Sequence, residues 1–101
     1  MKSRFSKAVY RKNAEIYKVL ANPKRLEILN LLLKLELSVE ELRSTLKLSK
    51  ANMSQHLALL RHARLVRVRR EGKRAFYRII DPRIVEPCQI LHDLWAQRKL
   101  T

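Results

Sequence analysis

The spacing of apolar and polar residues along the chain predicts five helices and one β-hairpin. Apolar residues recur at helical intervals over about 6–21, which predicts a first amphipathic helix. A second helix, from 24 to about 34, is apolar on most of its circumference, so we expect it to be the central buried helix. Asn22-Pro23 separates the two, because proline disfavours helix before it and suits the first turn of the next helix.

Two serines are placed to begin the next helices. Ser38, followed three residues later by Glu41, matches a capping box and predicts a short helix to about residue 46. Lys47-Leu48 leaves room only for a tight connection, and Ser49 can cap a fourth helix that ends near residue 62 or 63. A short helix, a brief turn and a second capped helix are typical of a helix-turn-helix unit.

A hairpin and a last helix complete the pattern. Residues 66–70 and 74–80 alternate apolar and basic, and Gly72, the only glycine, lies in a Glu71-Gly72-Lys73 turn where a positive φ costs least. A last helix, about 83–99, has Pro87 in or near its first turn, so it begins later or bends. The predicted fold is mainly α with a small β-hairpin: a winged helix-turn-helix of about five helices with a two-stranded wing.

Composition narrows the class of partner. The 101 residues suit a single domain spanning 1–101, and 23 Lys and Arg against 9 Asp and Glu give a net charge of +14. So basic a domain attracts a polyanion, with nucleic acid first, an anionic membrane second and an acidic protein third. There is no apolar run of the about 20 residues needed to cross a bilayer, and no apolar signal-peptide core. A single cysteine suits a reducing compartment, so we expect a cytoplasmic protein without a membrane partner.

The fourth helix has one apolar and one polar face. Met53, Leu57 and Leu60 recur at helical spacing and are expected to face the core. On the other side, Gln can pair with adenine, Lys with guanine, and Ala can touch a thymine methyl group. The alternative is a solvated polar face, but the charge of the chain favours DNA contact. The expected DNA-binding residues of this recognition helix are Ser49, Lys50, Ala51, Asn52, Ser54 and Gln55.

Arginines dominate the hairpin. Strand alternation puts Val66 and Val68 on one face and Arg67 and Arg69 on the other. Like charges across a ribbon are destabilising without a counter-anion, and the guanidinium fork matches phosphate oxygens or enters a narrow minor groove. The alternative is an edge strand kept soluble by its charge. The expected DNA-binding residues of the wing are Arg67, Arg69, Arg70, Lys73 and Arg74.

Other chemistry is weakly indicated. The aromatic residues do not interleave with basic ones as a single-strand stacking platform requires, which disfavours RNA. No pattern typical of catalysis occurs, so no enzyme is expected. Cys88 and His92 lie four apart on one helix, but structural zinc needs four ligands, so we expect no metal and no cofactor. Cys88 is then a buried thiol, or a residue that responds to oxidants.

With these elements placed, the chain closely resembles the ArsR (arsenic-repressor) family of bacterial winged-helix regulators. Leu48–Val66 resembles the recognition-helix signature of that family, and Arg69–Arg74 resembles its wing. Phe76–Ile79 and Asp81–Arg83 are similar to its closing strand and the entry to its last helix, and Ala21–Leu29 to the start of helix two. The match covers nearly the whole chain.

The resemblance implies a homodimer, held by the first helix (about 6–21) and the last (about 83–99). Such a dimer binds an imperfect palindrome in double-stranded DNA and represses transcription. Its two-fold axis places the paired recognition helices about 34 Å apart, in successive major grooves. The apolar residues available for the shared seam are Phe5, Val9, Ile16, Leu91, Leu94 and Trp95.

The chain departs from the family in the elements that sense effectors. Many members bind metals through a Cys-x-Cys element in the third helix, whereas Leu37–Leu42 here contains no thiol. Others bind zinc or nickel between last helices through Asp, His and Glu, and redox-sensing members use two cysteines. Arg64 replaces the family's usual glycine, so it must adopt the helix-ending conformation at some cost. The effector therefore stays unknown.

Two other functions remain open on the residues alone. One is a basic module associated with RNA or the ribosome, which would bind structured RNA more tightly than duplex DNA. The other is an architectural protein that binds DNA without regard to sequence.

Overall fold

Capping side chains set where the helices begin in the computed structural model, which describes residues 1–97. Ser6, Asn22, Ser38 and Ser49 each accept a hydrogen bond from the backbone N–H three residues on, satisfying a donor that the first turn leaves free. The elements in chain order are α1 (Lys7–Leu20), α2 (Pro23–Leu31), β1 (Leu37–Ser38), α3 (Val39–Leu46), α4 (Lys50–His62), β2 (Val66–Glu71), β3 (Arg74–Ile79), a 3-10 helix (Pro82–Val85) and α5 (Glu86–Gln97).

The predicted helices are confirmed, with shifts at two boundaries. The helix α2 ends at Leu31, three residues before its predicted end, because the chain turns there and Leu32 enters the core. A 3-10 turn precedes α5, so α5 begins at Glu86 with Pro87 as its second residue, which is the later start that this proline allowed. Residues 98–99 of the predicted last helix lie outside the described residues.

The hairpin is confirmed, and it belongs to a larger sheet than predicted. Glu71 pairs with Arg74, so the turn consists of Gly72 and Lys73 alone, and Gly72 has φ +59°. Ile80 lies just beyond β3. The two-residue strand β1 pairs with β3, giving the order β1-β3-β2. The predicted two-stranded wing is therefore confirmed as β2 and β3, and β1 adds a third strand to its sheet that the sequence did not indicate, because two residues are too few to show a period-2 pattern.

One hydrophobic cluster joins the helices to the sheet. Ile28 and Leu29 of α2 are fully buried, which confirms the prediction of a central buried helix. Ser38 ends β1 and caps α3 at the same time, and only 1% of its surface is exposed. The sheet and the helix-turn-helix are thus connected without a flexible linker between them.

The end of α4 requires a left-handed residue. Arg64 has φ +60°, its N–H donates to the Arg61 carbonyl, and the Leu65 N–H donates to the Leu60 carbonyl. This is the Schellman arrangement, in which glycine is usual because it carries no Cβ. The predicted strain at Arg64 is present.

Replacing Arg64 by glycine is expected to stabilise the fold. Relief of the left-handed conformation, reduced by the greater freedom of glycine in the unfolded chain, leaves a gain of about 0.5–1 kcal/mol. The measurement is denaturant unfolding of Arg64→Gly beside Arg64→Ala, which removes the same side chain but keeps the strain. An Arg64→Ala protein as stable as Arg64→Gly would show that the backbone is not strained here.

Candidate nucleic-acid interface

One face of α4 is buried in the core, and the opposite face is exposed to solvent. Met53, Leu57 and Leu60 are at most 2% exposed, as predicted. The predicted DNA-binding residues of the recognition helix are all exposed, either on α4 itself or at the cap that precedes it. These residues are Ser49, Lys50, Ala51, Asn52, Ser54 and Gln55.

The amino-terminal end of α4 combines a cap with unpaired donors. The Ser49 hydroxyl accepts from the Asn52 N–H at 3.1 Å, so its oxygen is already engaged in capping the helix. The remaining N–H groups of the first turn and the exposed Lys50 favour an anion at this end. Ser49 therefore caps and orients the start of α4, while the exposed Lys50 side chain is available to bind an anionic ligand.

A basic groove of about 640 Å³ lies between α4 and the wing. Lys50, Ser54 and Arg61 line it from α4, and Glu40 at the start of α3 contributes one carboxylate. The wing contributes three further cations. These are Arg70, Lys73 and Arg74. The groove thus joins the recognition helix and the wing into a single cationic surface.

Arg61 was missed by the sequence analysis, although its spacing contained the signal. Residues 54, 58 and 61 follow one another by four and three, so they share one side of α4. Within residues 1–97, Arg61, Arg70 and Lys73 make no ion pair, so their charges are available to a ligand.

Two of the predicted wing residues lie elsewhere. Strand alternation puts Arg67 and Arg69 on the face opposite Val66 and Val68, as expected, and neither lines the groove beside α4. Arg69 donates to Glu36 at 2.7 Å and to Glu71 at 2.6 Å. The structure therefore separates Arg70 and Lys73, which line the groove, from Arg67 and Arg69 on the outer face. Arg74 lines the groove and also lies 4.9 Å from the centre of the Phe76 ring.

Comparison with known proteins places this geometry in a family. The model of the bacterial regulatory protein arsR family matches residues 22–68. The transcriptional activator HlyU of Vibrio cholerae is 44% identical over 82 residues, which cover 81% of this chain and 76% of HlyU. The chain belongs to the ArsR family. The family and its relatives are transcriptional regulators with a winged helix-turn-helix, so the chain is a regulator and not an enzyme.

Solved structures agree with this ArsR assignment. The structure of HlyU has a TM-score of 0.78 and 40% identity, covering 90% of this chain and 99% of that one. A homodimeric winged helix-turn-helix DNA-binding domain of Mycobacterium bovis, solved by NMR, has a TM-score of 0.81 and 31% identity, covering 96% and 95%. A further relative by sequence is the biofilm growth-associated repressor of Agrobacterium fabrum. It is 35% identical over 83 residues, which cover 82% of this chain and 71% of the repressor.

Cys88 of this ArsR protein is half-buried near the start of α5. The Asn30 side-chain amide lies 4.0 Å from its sulfur, a weak contact. Within residues 1–97, no group of three or more His, Cys, Asp or Glu side chains is arranged to hold a metal ion. In the same range no helix is long and apolar enough to cross a membrane.

A histidine fixes α4 to the start of α2. Arg25 Nε donates to His56 Nδ1 at 3.2 Å, and Arg25 Nη1 donates to the Val19 carbonyl at 3.1 Å. Burial, and secondarily the positive charge of Arg25, lowers the pKa of His56 below its ordinary value. The imidazole is therefore neutral and acts as an acceptor on the recognition helix.

This contact predicts a pH-dependent stability. Because its pKa is lowered, His56 binds a proton less readily in the folded protein than in the unfolded chain. Its contribution is fully present above a pH of about 6.5 and is lost as the pH falls through the folded pKa. We expect His56→Asn, which keeps an acceptor but does not titrate, to flatten the dependence of the unfolding free energy between about pH 5 and 7.5. The exposed His62→Asn is the control, and equal slopes in wild type and His56→Asn would refute the assignment.

Proposed function

We propose that the chain forms a homodimer that binds an imperfect palindromic operator in double-stranded DNA and represses transcription. The observation that carries this proposal is the groove in which the polar face of α4 and the cations of the wing meet. Cys88 is the only cysteine, so we propose regulation without the paired-thiolate metal site. The biofilm growth-associated repressor supports repression among the relatives, whereas the transcriptional activator HlyU makes activation the alternative.

The charges of the groove support a duplex partner. A helix exposed on its polar side can enter a major groove, while adjacent cations reach the flanking phosphates. We assign base contacts to Lys50, Ala51, Ser54 and Gln55. Asn52 and Ser49 lie at the helix start, near the expected phosphate backbone. Arg61, Arg70, Lys73 and Arg74 are assigned to phosphate.

Exposed apolar residues support the dimer. No residue of α1 or α5 is fully buried, yet both helices carry large apolar side chains. Exposed apolar side chains that form a contiguous patch mark an interaction surface, and the homodimeric domain of M. bovis has the same fold. Ile16 is half-buried and packs on the core, so it contributes less to a seam than expected. The exposed large apolar side chains in and next to these two helices are Phe5, just before α1, then Val9, Tyr10 and Tyr17 of α1, and Ile90, Leu91, Leu94 and Trp95 of α5.

Substitution of Gln55 tests base recognition. Gln55→Ala removes a bidentate partner for one base, so it is expected to reduce discrimination at one base pair by about 1–3 kcal/mol while leaving other positions unchanged. The measurement is binding to an operator and its single-base variants at fixed salt.

Substitution of wing residues tests phosphate contact, in contrast to the test of base recognition at Gln55. Replacing Arg70 and Lys73 together is expected to weaken binding to all duplexes and to lower the slope of log K against log salt by about 0.9 for each phosphate that is no longer neutralised. If both sets of substitutions left operator affinity intact, the assigned faces would be wrong.

Tighter binding to structured RNA than to duplex DNA would favour the basic module associated with RNA or the ribosome. Equal affinity for operator and random DNA would favour the architectural protein.

A further inference from the structure

On the outer face of the wing, Arg69 forms ion pairs with Glu36 and Glu71. These three residues do not line the groove beside α4. Glu36 lies in the segment just before β1, and β1 is separated from β2 by the central strand β3. Arg69 of β2 spans this distance. Its Nε lies 3.1 and 3.3 Å from the two Glu36 carboxylate oxygens, and its Nη2 lies 2.7 Å from one of them.

Arg69 crosses the sheet over an aromatic ring. Phe76 of β3 is its cross-strand partner, and the guanidinium carbon of Arg69 lies 4.6 Å from the centre of that ring. The remaining arm of Arg69 donates to Glu71, the last residue of β2 before the turn, at 2.6 Å. One side chain therefore connects the tip of the wing to the segment that leads into α3.

The charges around this contact explain why a carboxylate is needed there. Arg67 and Arg78 are directly opposed across β2 and β3 on the same face, and like charges at that spacing destabilise a ribbon. Glu36 lies in the same shallow pocket as Arg67, Arg69 and Arg78. The hydrogen bonds from Arg69 lower the pKa of Glu36, and those from Glu36 and Glu71 raise the pKa of Arg69. The pair therefore stays ionised at neutral pH.

We propose that Glu36 is a positioning residue for DNA binding, which acts through Arg69 to hold the wing in the orientation that places Arg70, Lys73 and Arg74 beside α4. The inference rests on the proposed function. It reassigns Arg69 from phosphate contact, the role expected from the sequence, to bracing of the wing.

The effect of Glu36→Gln distinguishes bracing from simple electrostatics. Removing one negative charge from a protein of net charge +14 would, by charge alone, tighten binding to a polyanion. If Glu36 braces the wing, the freed hairpin must instead be ordered on binding, and operator affinity falls about three- to tenfold, the scale of ordering one or two side chains. The salt slope does not fall, because every groove cation is still present.

The experiment measures operator binding and salt slope for wild type, Glu36→Gln and Arg69→Lys, with Glu27→Gln as the charge-matched control. Among the described residues 1–97, Glu27 forms an ion pair with Lys24 of α2 alone, at 3.6 Å, so its removal is expected to leave affinity unchanged or tighter. Arg69→Lys keeps the charge but cannot make the two-pronged contact, so it is expected to match Glu36→Gln, and the double variant to be no weaker than either.

A readout without DNA separates bracing from a general loss of stability. The ¹⁵N heteronuclear NOE of Gly72 and Lys73 is expected to fall in Glu36→Gln while that of α4 is unchanged. Affinity of Glu36→Gln equal to or tighter than wild type would overturn the bracing role, and so would an unchanged NOE. Arg69→Lys carries both tests if Glu36→Gln does not fold. Failure of wild type to distinguish operator from random DNA would instead overturn the proposed function.

Discussion

The structure depends on the burial of one face of α4. Met53, Leu57 and Leu60 are each almost fully buried in the core shared with α2, α3 and the sheet. Burial of each such side chain contributes about 1.5–3 kcal/mol, so the rotation of the helix about its axis is strongly determined. Because that face is committed to the core, Lys50, Ser54 and Arg61 line the groove towards the wing.

The same core fixes the position of the wing. Val66 and Tyr77 contribute to it from β2 and β3, and Ser38 connects β1 to the capped start of α3. The tip of the hairpin, residues 69–74, extends beyond the core, and each of its residues is exposed. Ionic contacts hold the tip instead, since Arg69 pairs with Glu36 across the central strand and with Glu71 on its own strand. Apolar packing therefore positions α4, and charge positions the tip of the wing.

Most of the fold could be predicted from the sequence, because the residues that determine the helix ends and the hairpin turn act over short distances along the chain. Capping residues such as Ser38 and Ser49 act within three residues, and the single glycine marks the hairpin turn. Strand β1 could not be predicted, since its two residues owe their conformation to pairing with β3. The faces of the recognition helix followed from its period. The pairing of Arg69 with Glu36 did not, because 33 residues separate them in the chain.

The most direct test of this account is selection of binding sites from a pool of random duplexes by the purified protein. Two recognition helices related by a two-fold axis predict enriched duplexes with two inverted half-sites, whose centres lie about 10–10.5 base pairs apart. Enrichment of a single half-site, of half-sites with variable spacing, or of no common sequence would contradict a dimer that presents paired α4 helices to one face of DNA.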